Sequence, residues 1–349
     1  MLLFRPAHEL LKRASCILRP FLLLSVLGLA GLVHPAMGRA CLAGELWSVE
    51  PRPEQGQLQI NLRGKPFATY SYRDAAVSRP YFANIYAPSG VKITRNHPPA
   101  PKDPQDHDKM HPGMWLAFGD LSGADSWRLK APVEHVRFVE APRAEGGVLE
   151  FAVMNRYLAT DRRELCQETC RYELHALPNG VLVLWDSVFR SDNDRFTFGD
   201  QEELGLGVRL AREIAVKADK GGRILNSNGQ RNEAEAWGQQ ADWCDYSGTI
   251  DGQFVGITIM PHPKSFRRAW CHCRDTGFMA MNPFGRNAFT GGEKSEVIVE
   301  PGEGFHLRYG VLIHRNDSPD EFDADQNYRD YLQRQEATEV TETTERVNR

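Results

Sequence analysis

Four short stretches of this chain hold residues whose types and spacing suit proton transfer or the binding of a polar ligand. In Glu203-Leu-Gly-Leu-Gly-Val-Arg209, strand alternation puts Leu204, Leu206, Val208 and Leu210 on one face and Glu203, Gly205, Gly207 and Arg209 on the other. The first face reads as core. The second separates a carboxylate from a guanidinium by two glycines. That leaves either open space for a ligand above the sheet or room for a neighbouring strand around a Glu–Arg ion pair. In Trp270-Cys-His-Cys-Arg274 the same rule sends both cysteines to the core and puts Trp270, His272 and Arg274 on the other face. An aromatic plane, a titratable imidazole and a fixed cation on one face suit a sugar or a carboxylate ligand.

The third stretch, Met260-Pro-His262-Pro, ends an apolar strand with an imidazole held between two prolines, which stiffen the backbone. The fourth is a loop carrying Asp106, His107, Asp108 and His111, followed by Gly113 and Trp115. Such a cluster raises a metal site with Asp106, His107 and His111 as candidate ligands. No standard metal spacing such as His-Glu-x-x-His is present, and the alternative is hydrogen bonding to a polar ligand or to the loop's own backbone. The reading therefore includes no cofactor. The chain also lacks a Gly-x-Ser-x-Gly elbow, a phosphate loop and a dinucleotide fingerprint, which counts against serine hydrolases, NTPases and NAD enzymes.

The elements that must position these residues are short strands. Leu58, Ile60 and Leu62 alternate with polar residues, and Arg63-Gly64-Lys65 breaks the run before Phe67, Thr69 and Ser71, which predicts a hairpin. Further strands are predicted at 81–87, 148–157, 165–175, 181–190, 204–212, 253–260, 268–274, 295–300 and 305–314. Amphipathic helices are missing between them, so the pattern predicts an all-β, large antiparallel sandwich. Asn96 to Pro112 predicts a long irregular loop. Ser318-Pro-Asp-Glu321 is a capping box with Pro at the first helical position, which predicts a short C-terminal helix over 318–334 and a disordered tail over 335–349.

At the other end, Arg5, Lys12, Arg13 and Arg19 precede an apolar run from Phe21 to Val33, and small residues follow at Ala36, Gly38 and Ala40. That order predicts a cleaved signal over residues 1–38 and an exported protein, periplasmic or extracellular. The run is shorter than the ~20 apolar residues of a membrane span, so no stable span is expected after cleavage. Residues 39–56 are expected to form a linker, and 57–317 the sandwich domain. Residues 1–38 hold four of the 42 Lys+Arg and one of the 46 Asp+Glu, so the mature chain would carry 38 and 45, a formal charge of −7. An acidic chain without a basic stripe argues against nucleic acid. Cys16 leaves with the signal, which makes the remaining cysteines an even set of six out of seven. In an extended strand, Cys166 and Cys170 would lie about 13 Å apart and could not pair with each other.

The motifs also carry a resemblance. Arg79-Pro-Tyr-Phe82, Ala87-Pro-Ser-Gly90, Thr94-Arg-Asn96, His111-Pro-Gly-Met-Trp115, Phe118-Gly-Asp120 and Gly123-Ala-Asp-Ser-Trp127 occur in order. They are followed by Glu203 to Arg209, Ala236-Trp-Gly238, Trp243-Cys-Asp-Tyr246, His262-Pro263 and Asn282-Pro-Phe-Gly285. Together, over about 57–315, they resemble the bacterial PmoA-like family of unknown function. A membrane oxygenase subunit needs several spans of ~20 apolar residues, and outside the signal the sequence has none. The resemblance implies instead a sandwich similar to the galactose-mutarotase supersandwich, common among exported carbohydrate-active proteins.

Joined with the alternation argument, it sets out an enzyme acting on a sugar or oligosaccharide. His262, His272 and His111 are the catalytic candidates with Glu203 as partner, and the substrate-binding candidates are Arg209, Arg274, Trp115, Trp270, Asn282 and Tyr81. Epimerisation, elimination and hydrolysis all remain open. The alternative is a non-catalytic carbohydrate-binding or scaffold protein that stacks sugars on Trp115, Trp237, Trp243 and Trp270. The two readings separate on whether the histidines converge on one pocket.

Overall fold

A computed structural model of the chain describes residues 46–347, with backbone alone for 338–347. The predicted signal over 1–38 and Cys41 lie outside the described residues. The predicted hairpin forms from Gln57–Leu62 and Lys65–Ser71. Arg63 and Gly64 both take positive φ at its turn, 51° and 75°, as a tight two-residue hairpin connection demands. Each of the other stretches predicted as strand carries one, from Tyr81–Ala83 to Gly304–Asn316.

The strands build two large antiparallel sheets. The nine-stranded sheet has Trp47–Arg52 at one edge and Gln240–Ala241 at the other. At its centre Met114–Phe118, Leu204–Arg209, Phe278–Asn282 and Ala269–Arg274 lie side by side in that order. The eight-stranded sheet runs from Arg223–Asn226 through Gln253–Pro261 and Gly304–Asn316 to Val133–Glu145. Their inner faces share one hydrophobic core, in which Leu206, Val208, Cys271 and Cys273 of the first sheet meet residues such as Val183, Ile257 and Val311 of the second. The alternation of 204–210, 255–259 and 270–274 is therefore as expected.

Several strands escape the pattern. Met114–Phe118 and Phe278–Asn282 are buried at every position, so they show no polar alternation. Val133–Glu145 is mostly exposed and charged, and three register shifts against its neighbour twist this free edge.

Both outer faces are partly covered. Over the nine-stranded sheet, Trp115, Trp127, Tyr81 and Phe278 form a small apolar cluster of their own. Over the eight-stranded sheet, Leu184, Trp243, Met260 and Leu312 pack against Ala324 and Tyr331 of the C-terminal helix. That helix spans Ala324–Val347, later and longer than the 318–334 expected. Pro319–Glu321 makes only a 3-10 turn, and Asp323, whose carboxylate accepts the Gln326 N–H at 2.8 Å, does the capping instead. Cys166, Cys170, Cys244, Cys271 and Cys273 are buried free thiols.

Candidate active site

The strand Leu204–Arg209 carries the floor of the site. Gly207 faces outward as expected, but the space above it is filled by aromatic rings rather than left open for a ligand. A Cβ there would lie 2.9 Å from the Trp115 ring and 3.0 Å from that of Trp127. Gly205, at φ +101°, would place a Cβ 2.3 Å from the Met281 carbonyl oxygen. The glycines thus admit two indoles and a neighbouring strand. Trp115 and Trp127 meet edge to face at 5.4 Å, and the His111 imidazole stacks on Trp115 at 4.9 Å. Trp115 is therefore a buried support and cannot touch substrate.

The loop 96–112 is irregular, as predicted, and two buried arginines hold it. Arg95 donates to the carbonyl oxygens of Pro104, Asp106, His107 and His111 at 2.7–3.1 Å. Arg79 donates to those of Ser126, Trp127 and Met110. A buried guanidinium offers five donors in a fixed fork, and here they replace the sheet ladder that the loop lacks. Both arginines stand in the motifs, but no periodicity marks a residue whose partners are carbonyls of a distant loop.

Between this loop and the sheet lies a cleft of about 260 Å³, lined among others by His111, His272, Glu202, Glu203, Arg209 and Arg274. This volume is near the lower end for small-molecule sites, which start at ~300 Å³, so it suits one sugar ring better than a chain of them. His111 and His272 both contact the Phe278 ring, at 4.9 and 4.8 Å between centroids. Of the four residues assigned catalytic roles, His111, His272 and Glu203 thus share one pocket.

His272 has the most defined geometry. Its Nδ1 lies 3.0 Å from the Glu202 carbonyl oxygen, which assigns the proton to Nδ1 and leaves the Nε2 lone pair free. Nε2 is 3.5 Å from the Glu202 carboxylate. Burial, and then the Arg274 charge, push the His272 pKa down to about 3. Burial, reinforced by Arg209 and other cations, holds His111 well below the usual imidazole value. Both rings are thus neutral near pH 7. Burial raises the Glu202 carboxyl despite Arg274, whose Nη2 is 3.3 Å away.

The Glu203–Arg209 ion pair does not form. Glu203 pairs with Arg128 at 2.5 Å, and Arg209 pairs with Asp106 at 2.9 Å. Arg274 bridges Glu202 and Glu233, each at 3.3 Å. Sequence reasoning misses Glu202 and Arg128 because they lie outside the strands, on a strand approach and a turn, where alternation gives no direction.

Other expectations move elsewhere. His262 ends a strand of the eight-stranded sheet, so the fold carries it away from the cleft. Its ring stands edge-on to Tyr331 at 6.0 Å, and its Nδ1 accepts the Lys264 N–H. Trp270 has the outward direction expected but is 4% exposed, stacked with Phe289 at 6.2 Å. Tyr81 donates its hydroxyl to Asp74 at 2.5 Å and lines a separate polar groove with Gln57, Gln59 and Thr69. Asn282 is buried. Its amide N–H groups hold the carbonyls of Gln201 and Glu202 at 2.7 and 3.0 Å, so it positions the Glu202 segment rather than a ligand.

The metal candidates lie together, with His107 Nδ1 3.1 Å from Asp106 Oδ2, but they do not form a ligand set. His107 and His111 stack face to face at 4.7 Å, and Asp106 lies beside two guanidinia that repel a cation. Among the described residues no group of three His, Cys, Asp or Glu is placed to hold a metal ion.

Comparison with known proteins places this geometry in a wider setting. No curated protein matches the chain. Among solved structures, the galactosidase domain of an alpha-galactosidase-sucrose kinase is similar at 7% identity and a TM-score of 0.41, over 77% of this chain and 42% of that one. A galactose mutarotase related enzyme from Lactobacillus acidophilus is similar at 10% identity and a TM-score of 0.33, over 77% and 97%. A galactose mutarotase-like protein from Clostridium acetobutylicum gives 12%, 0.36, 78% and 99% for the same measures. At such values the likeness concerns the course of the chain alone. Nothing in these findings carries the PmoA name, and among the described residues no helix is long and apolar enough to cross a membrane. What does match is one family profile, over residues 57–329, and by that match the chain belongs to the family of unknown function DUF6807.

Proposed function

We propose that this chain is an exported enzyme that transfers protons on a single sugar ring, with His272 as the base and Glu202 as the acid. The observation that carries the reading is His272. Its Nδ1–H is committed to a backbone carbonyl, so a neutral Nε2 lone pair is left in the cleft beside Glu202. Burial raises that Glu202 carboxyl, which favours a protonated group facing the lone pair, and the neutral His111 ring lines the same cleft. Glu203 is held by Arg128 at 2.5 Å, so it is not presented as the second carboxylate that glycoside hydrolysis uses. That favours epimerisation of a reducing sugar over hydrolysis. His272 Nε2 takes the proton of the anomeric hydroxyl as the Glu202 carboxyl, which burial raises, gives one to the ring oxygen. The ring C–O bond breaks, a carbonyl forms, and closure on the other face reverses each transfer.

The binding-only alternative needs an exposed aromatic strip. Trp115, Trp243 and Trp270 are buried, and Trp237 is half-buried beneath Arg274, which counts against it. Export rests on the leader composition of residues 1–38.

The test is anomer exchange, followed by NMR on neutral and acidic aldoses. Wild type is expected to exceed the buffer rate, and His272→Asn to lose roughly 10²–10⁴ of the acceleration. If no aldose exchanges faster than in buffer, or if His272→Asn is as fast as wild type, the reading is wrong.

A further inference from the structure

Two of the three arginines that reach the cleft are tied to acidic side chains on or next to the sheet. Arg128 pairs with Glu203 and Asp125, and Arg274 with Glu202 and Glu233. Arg209 differs. Its side chain is 2% exposed, and its Nη2 lies 2.9 Å from Asp106 Oδ1, a carboxylate that is 45% exposed and comes from the irregular loop. Arg95 Nη1 lies 3.8 Å from the same oxygen, but its donors already hold loop carbonyls. The Nε of Arg209 is buried without a hydrogen-bond partner. One half-exposed carboxylate thus balances two buried cations, whose burial without an anion would be costly.

We propose that Asp106 is a tethered stand-in for an anionic group of the substrate, which is therefore a sugar bearing a carboxylate or a phosphate. This rests on the reading of the cleft as a sugar site and names its substrate class. The incoming anion replaces the Asp106 carboxylate on Arg209. Displacement costs little, because an ion pair open to water on one side is weak and the released carboxylate regains hydration. The loop backbone need not move, since Arg95 grips its carbonyls and only the Asp106 side chain has to turn, giving up its exposed 3.1 Å contact with His107 Nδ1. His111 and His272 are neutral, and Arg128 and Arg274 are held by their own carboxylates, so Arg209 is the cleft cation whose partner can be exchanged.

The experiment is calorimetric titration of the full chain with glucose, glucuronate and glucose 6-phosphate. Wild type is expected to prefer one of the anionic sugars over glucose, and which one identifies the anion. Asp106→Ala, which removes the competitor, is expected to bind that anionic sugar about fivefold more tightly with glucose unchanged. Asp108→Ala, which removes the same charge two residues away, is expected to change neither. Arg209→Gln is expected to lose roughly 10- to 100-fold for the anionic sugar.

The proposal is overturned if Asp106→Ala leaves or weakens anion affinity, if Asp108→Ala matches its gain, or if glucose binds wild type at least as tightly as both anionic sugars. Because Asp106 sits on a half-exposed loop, its two arms of the experiment stand whether or not the buried Arg209 variant folds. His272-dependent turnover of a neutral aldose without anion preference removes the stand-in and keeps the proposed function. A gain in anion affinity with no His272-dependent turnover does the reverse.

Discussion

Of five histidine–carboxylate pairs among the described residues, two have a buried imidazole and nearly the same chemistry, and only one of these is placed to act. His272 and Glu202 line the cleft of the nine-stranded sheet. His314 and Asp245 lie in the eight-stranded sheet, 2% and 0% exposed by side chain, with Nε2 and Oδ1 3.1 Å apart. There the carboxylate is saturated by the hydroxyls of Ser247 and Thr258 at 2.6 and 2.9 Å, and Phe322 covers the imidazole at 3.8 Å. In the cleft the backbone takes the Nδ1 proton, and Nε2 keeps its lone pair. In the buried pair Nε2 is hydrogen-bonded to the carboxylate at 3.1 Å, whereas in the cleft the two stand 3.5 Å apart. An imidazole is thus reactive or structural according to which nitrogen the fold consumes, and residue type alone does not tell the two apart.

The comparison is most sharply broken by exchanging the roles of the two histidines. His272→Asn is expected to cost roughly 10²–10⁴ in kcat/KM with little change in Tm. His314→Ala is expected to leave the folded enzyme active but to cost about 3–5 kcal/mol of stability, because Asp245 would remain buried without its partner. Equal activity losses in both variants would erase the distinction. Chemical denaturation beside initial rates measures the two effects.

The next largest effect concerns the floor that supports His111. Gly207→Ala forces a Cβ to within 3.0 Å of two indole rings. It is expected to destabilise by about 1–3 kcal/mol and, by tilting Trp115 under His111, to lower turnover more than stability alone explains. Near-ultraviolet circular dichroism of the tryptophans would register the shift.

A pH profile sharpens the comparison further. The His272 pKa is depressed to about 3 in the folded state, below the ~6.5 of an unfolded histidine. Between those values the unfolded chain binds the extra proton. This group's contribution to stability is therefore complete above about pH 6.5 and is lost as pH falls toward 3, at no more than about 1.4 kcal/mol per unit. The acid limb of kcat/KM is expected well below pH 5. A limb near 6.5 would mean that a different imidazole, one exposed to water, does the chemistry. The smallest effect is expected of His262→Gln, which should shift Tm slightly and leave turnover unchanged, since His262 packs on Tyr331 away from the cleft.

Much of this site is legible without the fold. Alternation alone turns Arg209, His272 and Arg274 outward and sends Cys271 and Cys273 to the core, because a strand allows its side chains only two directions. The same rule fails for His262, since direction within a strand says nothing about which sheet the strand joins. It also fails for Glu202, Arg128 and Asp106, which stand on turns and loops without a period. For Gly207 the type is informative and its meaning is not: the sequence marks a missing side chain, and only packing reveals that indoles occupy the space.

By itself, then, the order of residues determined the strand content, the hairpin at Arg63-Gly64, the irregular loop and the faces of the central strands, all of which follow from local sterics and hydrophobic period. The tertiary structure decided which of three candidate histidines meet, that Asp106 rather than Glu203 neutralises Arg209, and that one histidine–carboxylate pair is open while its counterpart is closed. Those outcomes depend on contacts between segments far apart in sequence, such as Arg209 with Asp106 or His272 with Glu202, and no local pattern specifies them.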